Sequence, residues 1–233
     1  MMAANLCETI PEGDSRLLCL LREAETVCFV GDSLTEGTMN GGVPWYEPIR
    51  SRIPGRIFNV SQGGATTEIL LDYFLPAIVR SAADLIVVAA GANDILFRDP
   101  MFCAVTAKAY VRNLRGLRDA VRGRRPDAKF VFIAPWIATD GDAGIIGGTV
   151  PPDAEEAYRA YTAALKSWCE ETGDGFIDAT DYIARRFAES SPEVYLVDFI
   201  HPNAGAGVRL YAEAVLMSDA PPSCHEGVGK DCS

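Results

Sequence analysis

The feature that most constrains this chain is an alternation between short apolar runs rich in β-branched residues and longer segments with helical periodicity. The apolar runs lie at Thr26–Val30, Arg56–Val60, Leu85–Ala90, Phe130–Ala134 and Gly175–Ile177. Most of the gaps between them are long enough for the crossover helices that connect parallel strands. The pattern therefore predicts an α/β fold, with a parallel sheet of about five strands and helices on both faces.

The helical segments can be placed from the spacing of their apolar residues. A short amphipathic helix is predicted around Leu17–Leu21, two long helices over Thr106–Arg122 and Asp153–Thr172, and a closing helix over Asn203–Met217. The stretch Pro135–Pro152 contains four glycines and no such spacing. We expect it to form a long loop, and loops of that length are usually functional or mobile.

The length of 233 residues suits a single catalytic α/β domain. We predict a helical extension over residues 1–24, the catalytic domain over 25–217 and a flexible polar tail over 218–233. No apolar stretch approaches membrane-spanning length, and acidic residues precede Leu17–Leu21, which is the wrong pattern for a signal peptide. These observations predict a cytoplasmic protein without membrane insertion.

Charge and composition exclude several classes of ligand. The formal net charge is −11 and no large cluster of Lys and Arg is visible, so nucleic acid is not an expected partner. The seven cysteines form no CxxC pair, and we expect Cys28, Cys103 and Cys169 to be small buried thiols. His201 and His225 are the only two histidines, which excludes a His-rich metal site. No metal and no cofactor are predicted.

Four short motifs carry the candidate chemistry, and the first three each follow a predicted strand. In an open parallel sheet, ligands bind at the edge where the strands end. The motifs contain every group that ester hydrolysis by a hydroxyl needs: a nucleophile, a base, a group that orients the base, and donors for the oxyanion. They are Gly31-Asp32-Ser33-Leu34-Thr35, Asn59 through Thr67, Gly91-Ala92-Asn93-Asp94 and Asp198-Phe199-Ile200-His201.

Three residues of these motifs are predicted to form a catalytic triad. Ser33 follows a strand and a glycine that permits a tight turn, so its hydroxyl can point into a cleft as the nucleophile. His201 is the only histidine in an ordered-looking segment and is the expected base. Asp198 precedes it by three residues, a spacing at which one turn of chain can place the carboxylate against the imidazole. Pro202 restricts His201 to extended geometry.

The oxyanion donors are predicted to be the backbone N–H groups of Ser33 and Gly64 and the side-chain amide of Asn93. Glycine suits this role because its backbone approaches a ligand without a Cβ in the way. Gly63 is adjacent to Gly64, so these residues leave the register of the second motif open. We interpret Asp32 and Asp94, the acidic neighbours of Ser33 and Asn93, as structural residues.

With all four motifs present in order, the chain resembles the SGNH/GDSL hydrolase superfamily, whose name records the Ser, Gly, Asn and His of these blocks. Carried over by position, Ser33 matches the nucleophile, and Asp198 and His201 match the aspartate and histidine of the triad. Gly64 and Asn93 match the oxyanion donors; Gly64 is chosen because Asn59 and Thr66 then fall where the family pattern has them. The resemblance implies a flavodoxin-like three-layer α/β/α sandwich and metal-free acyl-ester chemistry.

The first functional hypothesis is a serine esterase for small acyl groups, with carbohydrate O-acetyl groups as the specific expectation. An O-acyltransferase or thioesterase with the same triad is the nearest alternative, and a catalytically silent glycan-binding or scaffold module is an alternative of another class. The substrate pocket has four candidate residues, for which ordinary packing or a solvated charge is the competing interpretation. They are Trp45, Phe97, Arg98 and Trp136.

Overall fold

The computed structural model describes residues 15–96, 106–136 and 154–219, and its centre is one parallel sheet of five strands. The strands are β1 (Thr26–Gly31), β2 (Arg56–Ser61), β3 (Leu85–Ala89), β4 (Lys129–Ile133) and β5 (Gly175–Ile177). Their order is β2-β1-β3-β4-β5, which is the flavodoxin-like order. The sheet matches the prediction in number and direction, and each strand lies within one residue of its predicted bounds.

Helices lie before β1, between the strands and after β5 along the described chain. They are α1 (Arg16–Glu23), α2 (Ser33–Glu36), α3 (Thr67–Ile69), α4 (Leu75–Arg80), α5 (Ala92–Leu96), α6 (Ala107–Arg122), α7 (Ala154–Thr172), α8 (Thr180–Glu189) and α9 (Ala206–Ser218). A π-helical turn over Leu70–Phe74 joins α3 to α4. Short 3₁₀ turns lie at Thr38–Asn40, Glu47–Arg52 and Pro192–Val194.

Local side-chain hydrogen bonds explain where two of the predicted helices begin. The Thr106 hydroxyl accepts a hydrogen bond from the Ala109 N–H at 3.1 Å, so α6 begins directly after Thr106. The closing helix was predicted from Asn203, but α9 begins at Ala206. The Asn203 side-chain oxygen accepts hydrogen bonds from the N–H groups of Gly205 and Gly207, both at 3.1 Å, and this local bonding delays the helix.

The hydrophobic core has two parts, one on each face of the sheet. Alternate strand residues point to opposite faces, so Val27 and Phe29 belong to one cluster and Cys28 and Val30 to the other. Helices α1, α8 and α9 cover the first face, and α4, α6 and α7 cover the second. The result is the predicted three-layer α/β/α sandwich.

The predicted N-terminal helix is present as α1 and contributes to the first of these two clusters. Leu17, Leu18 and Leu21 are fully buried there. The Asp219 carboxylate accepts a hydrogen bond from the Leu17 N–H, which connects α1 to the chain just after α9. Helix α1 therefore packs as an integral part of the sandwich, while the domain bounds at 24 and 217 stay predictions.

The register of the sheet brings three strand ends together. Gly31 at the end of β1 pairs with Ser61 of β2 and with Ala89 of β3. A Cβ on Gly31 would lie 2.3 Å from the Ala89 carbonyl oxygen and 2.3 Å from the Thr35 Oγ1, so only glycine fits there. Because these ends are level, the first three motifs leave the sheet side by side.

Some predictions concern residues outside the described ranges. Cys28 and Cys169 are buried free thiols, as predicted, but Cys103 lies outside those ranges. Most of the predicted loop, residues 137–152, and most of the predicted tail, residues 220–233, also lie outside them. Among the helices of the described chain, none combines the length and the apolar character needed to cross a membrane.

Candidate active site

Ser33 is the first residue of α2, directly after β1. Asp32 caps this short helix, because its side chain accepts a hydrogen bond from the Leu34 N–H at 3.2 Å. The N–H of the first residue of a helix has no partner within the helix, which leaves the Ser33 N–H available. Ser33 is only 6% exposed, so the sharp turn from strand to helix holds its hydroxyl in a largely desolvated position.

The three residues of the predicted triad are connected by two hydrogen bonds, with His201 between Ser33 and Asp198. The Ser33 Oγ is 2.9 Å from the His201 Nε2, and the His201 Nδ1 is 2.6 Å from the Asp198 Oδ2. An ionised carboxylate can only accept hydrogen bonds, so the Nδ1–H donates to Asp198 and the Nε2 is free to accept the Ser33 proton. Residues separated by 168 positions thus meet in the order that proton transfer needs.

The Asp198 side chain is held by hydrogen bonds from the backbone of its own loop. Its Oδ1 accepts hydrogen bonds from the N–H of Ile200 at 2.8 Å and of His201 at 2.6 Å. Burial by itself raises the pKa of this carboxyl, but the backbone N–H groups of His201 and Ile200 and the His201 ring outweigh it and lower the pKa below its usual value. Asp198 is therefore ionised wherever it acts on the imidazole.

The two adjacent glycines of the second motif differ in the hydrogen bonds of their N–H groups. The Gly63 N–H donates to the Glu36 Oε2 at 2.9 Å, whereas the Gly64 N–H has no acceptor in the described part of the chain. Gly64 has φ +76°, and a Cβ there would meet nothing within 4 Å, so the residue borders open space. This difference favours Gly64 over Gly63 as the oxyanion donor.

Asn93 lies near the start of α5, just after the end of β3. Its Nδ2 donates a hydrogen bond to the Ala65 carbonyl oxygen at 3.1 Å, which fixes the amide beside the second motif. A primary amide has two N–H donors, so one remains for a ligand. The predicted donors Ser33, Gly64 and Asn93 therefore come from the level ends of β1, β2 and β3.

The neighbouring Asp94 has a different set of contacts. Its carboxylate accepts hydrogen bonds from the Thr67 N–H, at 2.9 Å to Oδ2, and from the Thr67 hydroxyl, which in turn accepts from the Asn113 amide at 3.2 Å. Burial raises the pKa of Asp94 to about 6 against the effect of the Thr67 bonds. Asp94 thus links α5, α3 and α6, in agreement with the structural interpretation.

Asp32 also agrees with the structural interpretation, since it is buried and acts as the cap of α2. Burial raises its pKa to about 7, although the hydrogen bond from the Leu34 N–H acts in the opposite direction. The nearby Asp94 carboxylate raises it further. A carboxyl with this pKa ionises only as the pH approaches neutrality.

The candidate substrate-binding residues have different outcomes. Trp45 is fully buried and packs edge-on against Phe29 and Tyr211, at ring-centroid distances of 5.6 Å. It therefore belongs to the core, and the prediction that it lines a pocket is wrong. Trp136, after β4, contacts the Tyr211 ring at 4.6 Å and borders a largely apolar cavity of about 270 Å³. Phe97 and Arg98 lie outside the described residues.

Sequence reasoning missed Glu36, whose carboxylate binds the Gly63 N–H. A signal was present, because Glu36 follows Ser33 by three residues and positions three apart share a face of a helix. Its partner was not visible, since Gly63 belongs to another strand end. Within the described ranges, no group of three or more His, Cys, Asp and Glu side chains could hold a metal ion.

The sequence profile of the GDSL-like Lipase/Acylhydrolase family matches residues 29–206, which include all four motifs. The chain belongs to this family. It is accordingly a hydrolase, and the family resemblance seen in the motifs is confirmed. The comparison with curated protein sequences gave no match.

Solved structures of low sequence identity share the fold of this GDSL-family chain. A protein of Parabacteroides merdae assigned as a GDSL-like lipase has a TM-score of 0.70 at 16% identity, over 85% of this chain and 97% of that one. An acetylxylan esterase of Geobacillus stearothermophilus has a TM-score of 0.66 at 20% identity, over 83% and 93%. An alpha/beta hydrolase from the metagenome of Lake Arreo has a TM-score of 0.60 at 18% identity, over 84% and 94%.

Proposed function

We propose that this protein is a serine esterase that hydrolyses small acyl esters through an acyl-enzyme, with O-acetyl groups on carbohydrate as its substrate class. The observation that carries the proposal is the pair of hydrogen bonds from Ser33 to His201 and from His201 to Asp198, at 2.9 and 2.6 Å. Distances of this size allow direct proton transfer between a nucleophile and its base.

In the first half of the reaction, the Ser33 Oγ attacks the ester carbonyl carbon while the His201 Nε2 takes the hydroxyl proton. Asp198 stabilises the imidazolium that forms, because its carboxylate is ionised and bonded to the Nδ1–H. When the tetrahedral intermediate collapses, the imidazolium gives its proton to the alcohol oxygen and the alcohol leaves. The product of this half-reaction is an ester of Ser33.

The negative charge of the tetrahedral intermediate falls on the former carbonyl oxygen. The N–H of Ser33, the N–H of Gly64 and the free N–H of the Asn93 amide are the donors proposed to bind it. Donors that are fixed before the reaction stabilise this charge without a reorganisation cost. In the second half-reaction, His201 activates a water molecule, which attacks the acyl-enzyme and releases the acid.

The substrate class is proposed from the structural relatives. The relative from Geobacillus stearothermophilus is an acetylxylan esterase, and catalytic mutants of that enzyme replace a serine, an aspartate and a histidine. In those mutants the aspartate and the histidine are three positions apart, as Asp198 and His201 are here. A small acyl group on a sugar hydroxyl is therefore the preferred substrate.

A panel of chromogenic esters of increasing acyl length, together with acetylated xylooligosaccharides followed by mass spectrometry, tests the proposal. Wild type should release acetate fastest, and Ser33→Ala should lose on the order of 10⁵-fold or more in kcat. Ser167→Ala removes an exposed hydroxyl from α7 and serves as the matched control at the wild-type rate. Equal rates for wild type and Ser33→Ala would reject the nucleophile.

The same panel distinguishes hydrolysis from transfer, since both begin with the same acyl-enzyme and differ in the group that attacks it. An added sugar alcohol that accepts the acyl group faster than water does would identify an O-acyltransferase. Preference for thioesters over oxygen esters of the same acyl group would identify a thioesterase. We expect water to be the faster acceptor and oxygen esters the better substrates.

A further inference from the structure

Glu36 lies one helical turn after Ser33 and faces the loop that carries the predicted Gly64 donor. Helix α2 contains only Ser33–Glu36, so the nucleophile and this carboxylate are at the two ends of the same short helix. The Glu36 Oε2 accepts a hydrogen bond from the Gly63 N–H at 2.9 Å. The Gly63 Cα also lies close to the nucleophile, because a Cβ built on it would be 3.8 Å from the Ser33 Cβ.

The hydrogen bonds of the loop after β2 leave one N–H free. The Gln62 N–H donates to the Gly31 carbonyl at 3.2 Å, and the Ala65 N–H donates to the Gln62 carbonyl at 3.0 Å. The Gly63 N–H is taken by Glu36. Among residues 62–65, therefore, only the Gly64 N–H has no acceptor in the described part of the chain.

Two consecutive glycines give this loop more conformational freedom than other residues would, so its geometry depends on such external bonds. A second bond connects the same two elements, since the Asn59 Nδ2 donates to the Thr35 carbonyl at 2.7 Å. Asn59 acts on β2 before the glycines, however, and does not restrain the glycine peptides. The bond from the Ala65 N–H to the Gln62 carbonyl closes the turn around the two glycines from within, and the bond from the Gly63 N–H to Glu36 is the one that ties this turn to α2.

We propose that Glu36 is a positioning residue, which holds the Gly63 N–H so that, of the two glycines, only Gly64 presents its N–H to the oxyanion. The inference rests on the proposed function, because it concerns the stabilisation of the same tetrahedral intermediate. Glu36 does not touch the reacting atoms. Its role is to fix the distance between the nucleophile on α2 and the donor on the loop.

Three variants separate the reach of this side chain from its charge. Glu36→Asp keeps the charge but shortens the side chain by one methylene, about 1.5 Å, so it cannot reach the Gly63 N–H. Glu36→Gln loses the charge but keeps an oxygen that can accept the same hydrogen bond. Glu36→Ala loses both. Glu68→Ala is the matched control, because it removes an exposed carboxylate on α3 that makes no bond to the glycines.

The measurements are kcat and KM for 4-nitrophenyl acetate and the inhibition constant of an arylboronic acid, which forms a tetrahedral adduct with the nucleophile. We expect Glu36→Asp and Glu36→Ala to lose about tenfold in kcat, with KM within twofold of wild type, because one oxyanion donor is misplaced rather than removed. The boronic acid should bind these two variants correspondingly more weakly. Glu36→Gln and Glu68→Ala should stay within threefold of wild type.

Any other order overturns the inference. Wild-type kcat in Glu36→Asp, or equal losses in Glu36→Asp and Glu36→Gln, would show that reach to the Gly63 N–H does not decide the rate. Circular dichroism and urea unfolding verify that each variant is folded, and Glu36→Gln keeps the comparison intact should Glu36→Ala fail to fold. Failure of the proposed function is a separate result, in which wild type and Ser33→Ala have equal activity.

Discussion

The two sides of the candidate active site are built in different ways. Ser33 and Asn93 lie at the carboxyl edge of the sheet and are 6% and 7% exposed, and their positions follow from the level ends of β1 and β3. The side chains of His201 and Asp198 are 15% and 33% exposed and lie in a loop before α9. That loop is held by hydrogen bonds among neighbours and by an isolated bridge between Leu196 and Pro202.

The two sides therefore differ in what fixes the positions of their side chains. Ser33 and Asn93 follow the ends of the buried strands β1 and β3, which pair with each other within the sheet, whereas Gly64 lies in the loop after the edge strand β2, where Glu36 binds the neighbouring Gly63 N–H. The base is positioned by a carboxylate that bonds both its ring and its own backbone N–H. Substitutions on the sheet side should therefore act through single donors, and substitutions on the loop side should act through the orientation and tautomer of His201.

Among the substitutions that test this difference between the two sides, Asp198→Asn on the loop side is expected to lower kcat most. The asparagine oxygen can still accept the N–H groups of Ile200 and His201, so the loop should keep its shape. The amide N–H₂ then faces the His201 Nδ1, which favours the tautomer with its proton on Nε2, and that nitrogen can no longer accept the Ser33 proton.

We expect kcat for 4-nitrophenyl acetate to fall by about 10³- to 10⁴-fold, with the free energy of unfolding within about 2 kcal/mol of wild type. Steady-state kinetics and urea unfolding at the same pH measure the two quantities. A loss below tenfold in a folded protein would contradict the role given to Asp198.

A smaller effect is expected from Asn93→Ala, on the sheet side. The variant removes one proposed oxyanion donor and the bond to the Ala65 carbonyl, while Ser33, His201 and the level strand ends are untouched. The loss in kcat should be about 10²- to 10³-fold, and KM should change little because the donor acts on the transition state. A rise in KM with unchanged kcat would instead make Asn93 a substrate-binding residue.

An effect of a different kind, on stability, is expected from Asp32→Asn at the cap of α2. Its raised pKa of about 7 means that the folded protein keeps the proton at pH values where the unfolded chain has lost it, so Asp32 reduces stability progressively as the pH rises from about 4 to 7. Asparagine removes this penalty and still accepts the Leu34 N–H. The effect of Asp198 on stability has the opposite sign. Its pKa is lowered, so its carboxylate stabilises the folded protein at pH values above the usual pKa of an aspartate, and this stability is lost as the pH falls below that pKa.

The stability of Asp32→Asn relative to wild type should therefore increase between pH 4 and pH 8, by at most about 4 kcal/mol. Urea unfolding at four pH values measures this difference. Asp72→Asn makes the same substitution at an exposed carboxylate and is the matched control. A flat difference for Asp32→Asn would mean that its carboxyl is not protonated in the folded protein at mildly acidic pH.

Much of the fold could be predicted because its signals are local. Each apolar run became a strand and the helix after Thr106 began at its capping residue, since β-branched runs and caps act within a few neighbours. The meeting of Ser33, His201 and Asp198 could also be predicted, because their residue types are few and the chain has only two histidines. Trp45 was misplaced because an aromatic residue after a motif has the same sequence pattern whether it lines a pocket or packs against Phe29.

The types and order of the residues specify the available chemical groups: a hydroxyl, an imidazole, a carboxylate and a pair of glycines. Which atoms meet, such as the Ser33 Oγ and the His201 Nε2, depends on the packing of the folded chain, and so does the N–H, of two adjacent glycines, that has no acceptor in the described residues. The physical reason is that hydrogen bonds between distant segments depend on strand register and helix packing. Those are properties of the whole sandwich, and no short stretch of residues contains them.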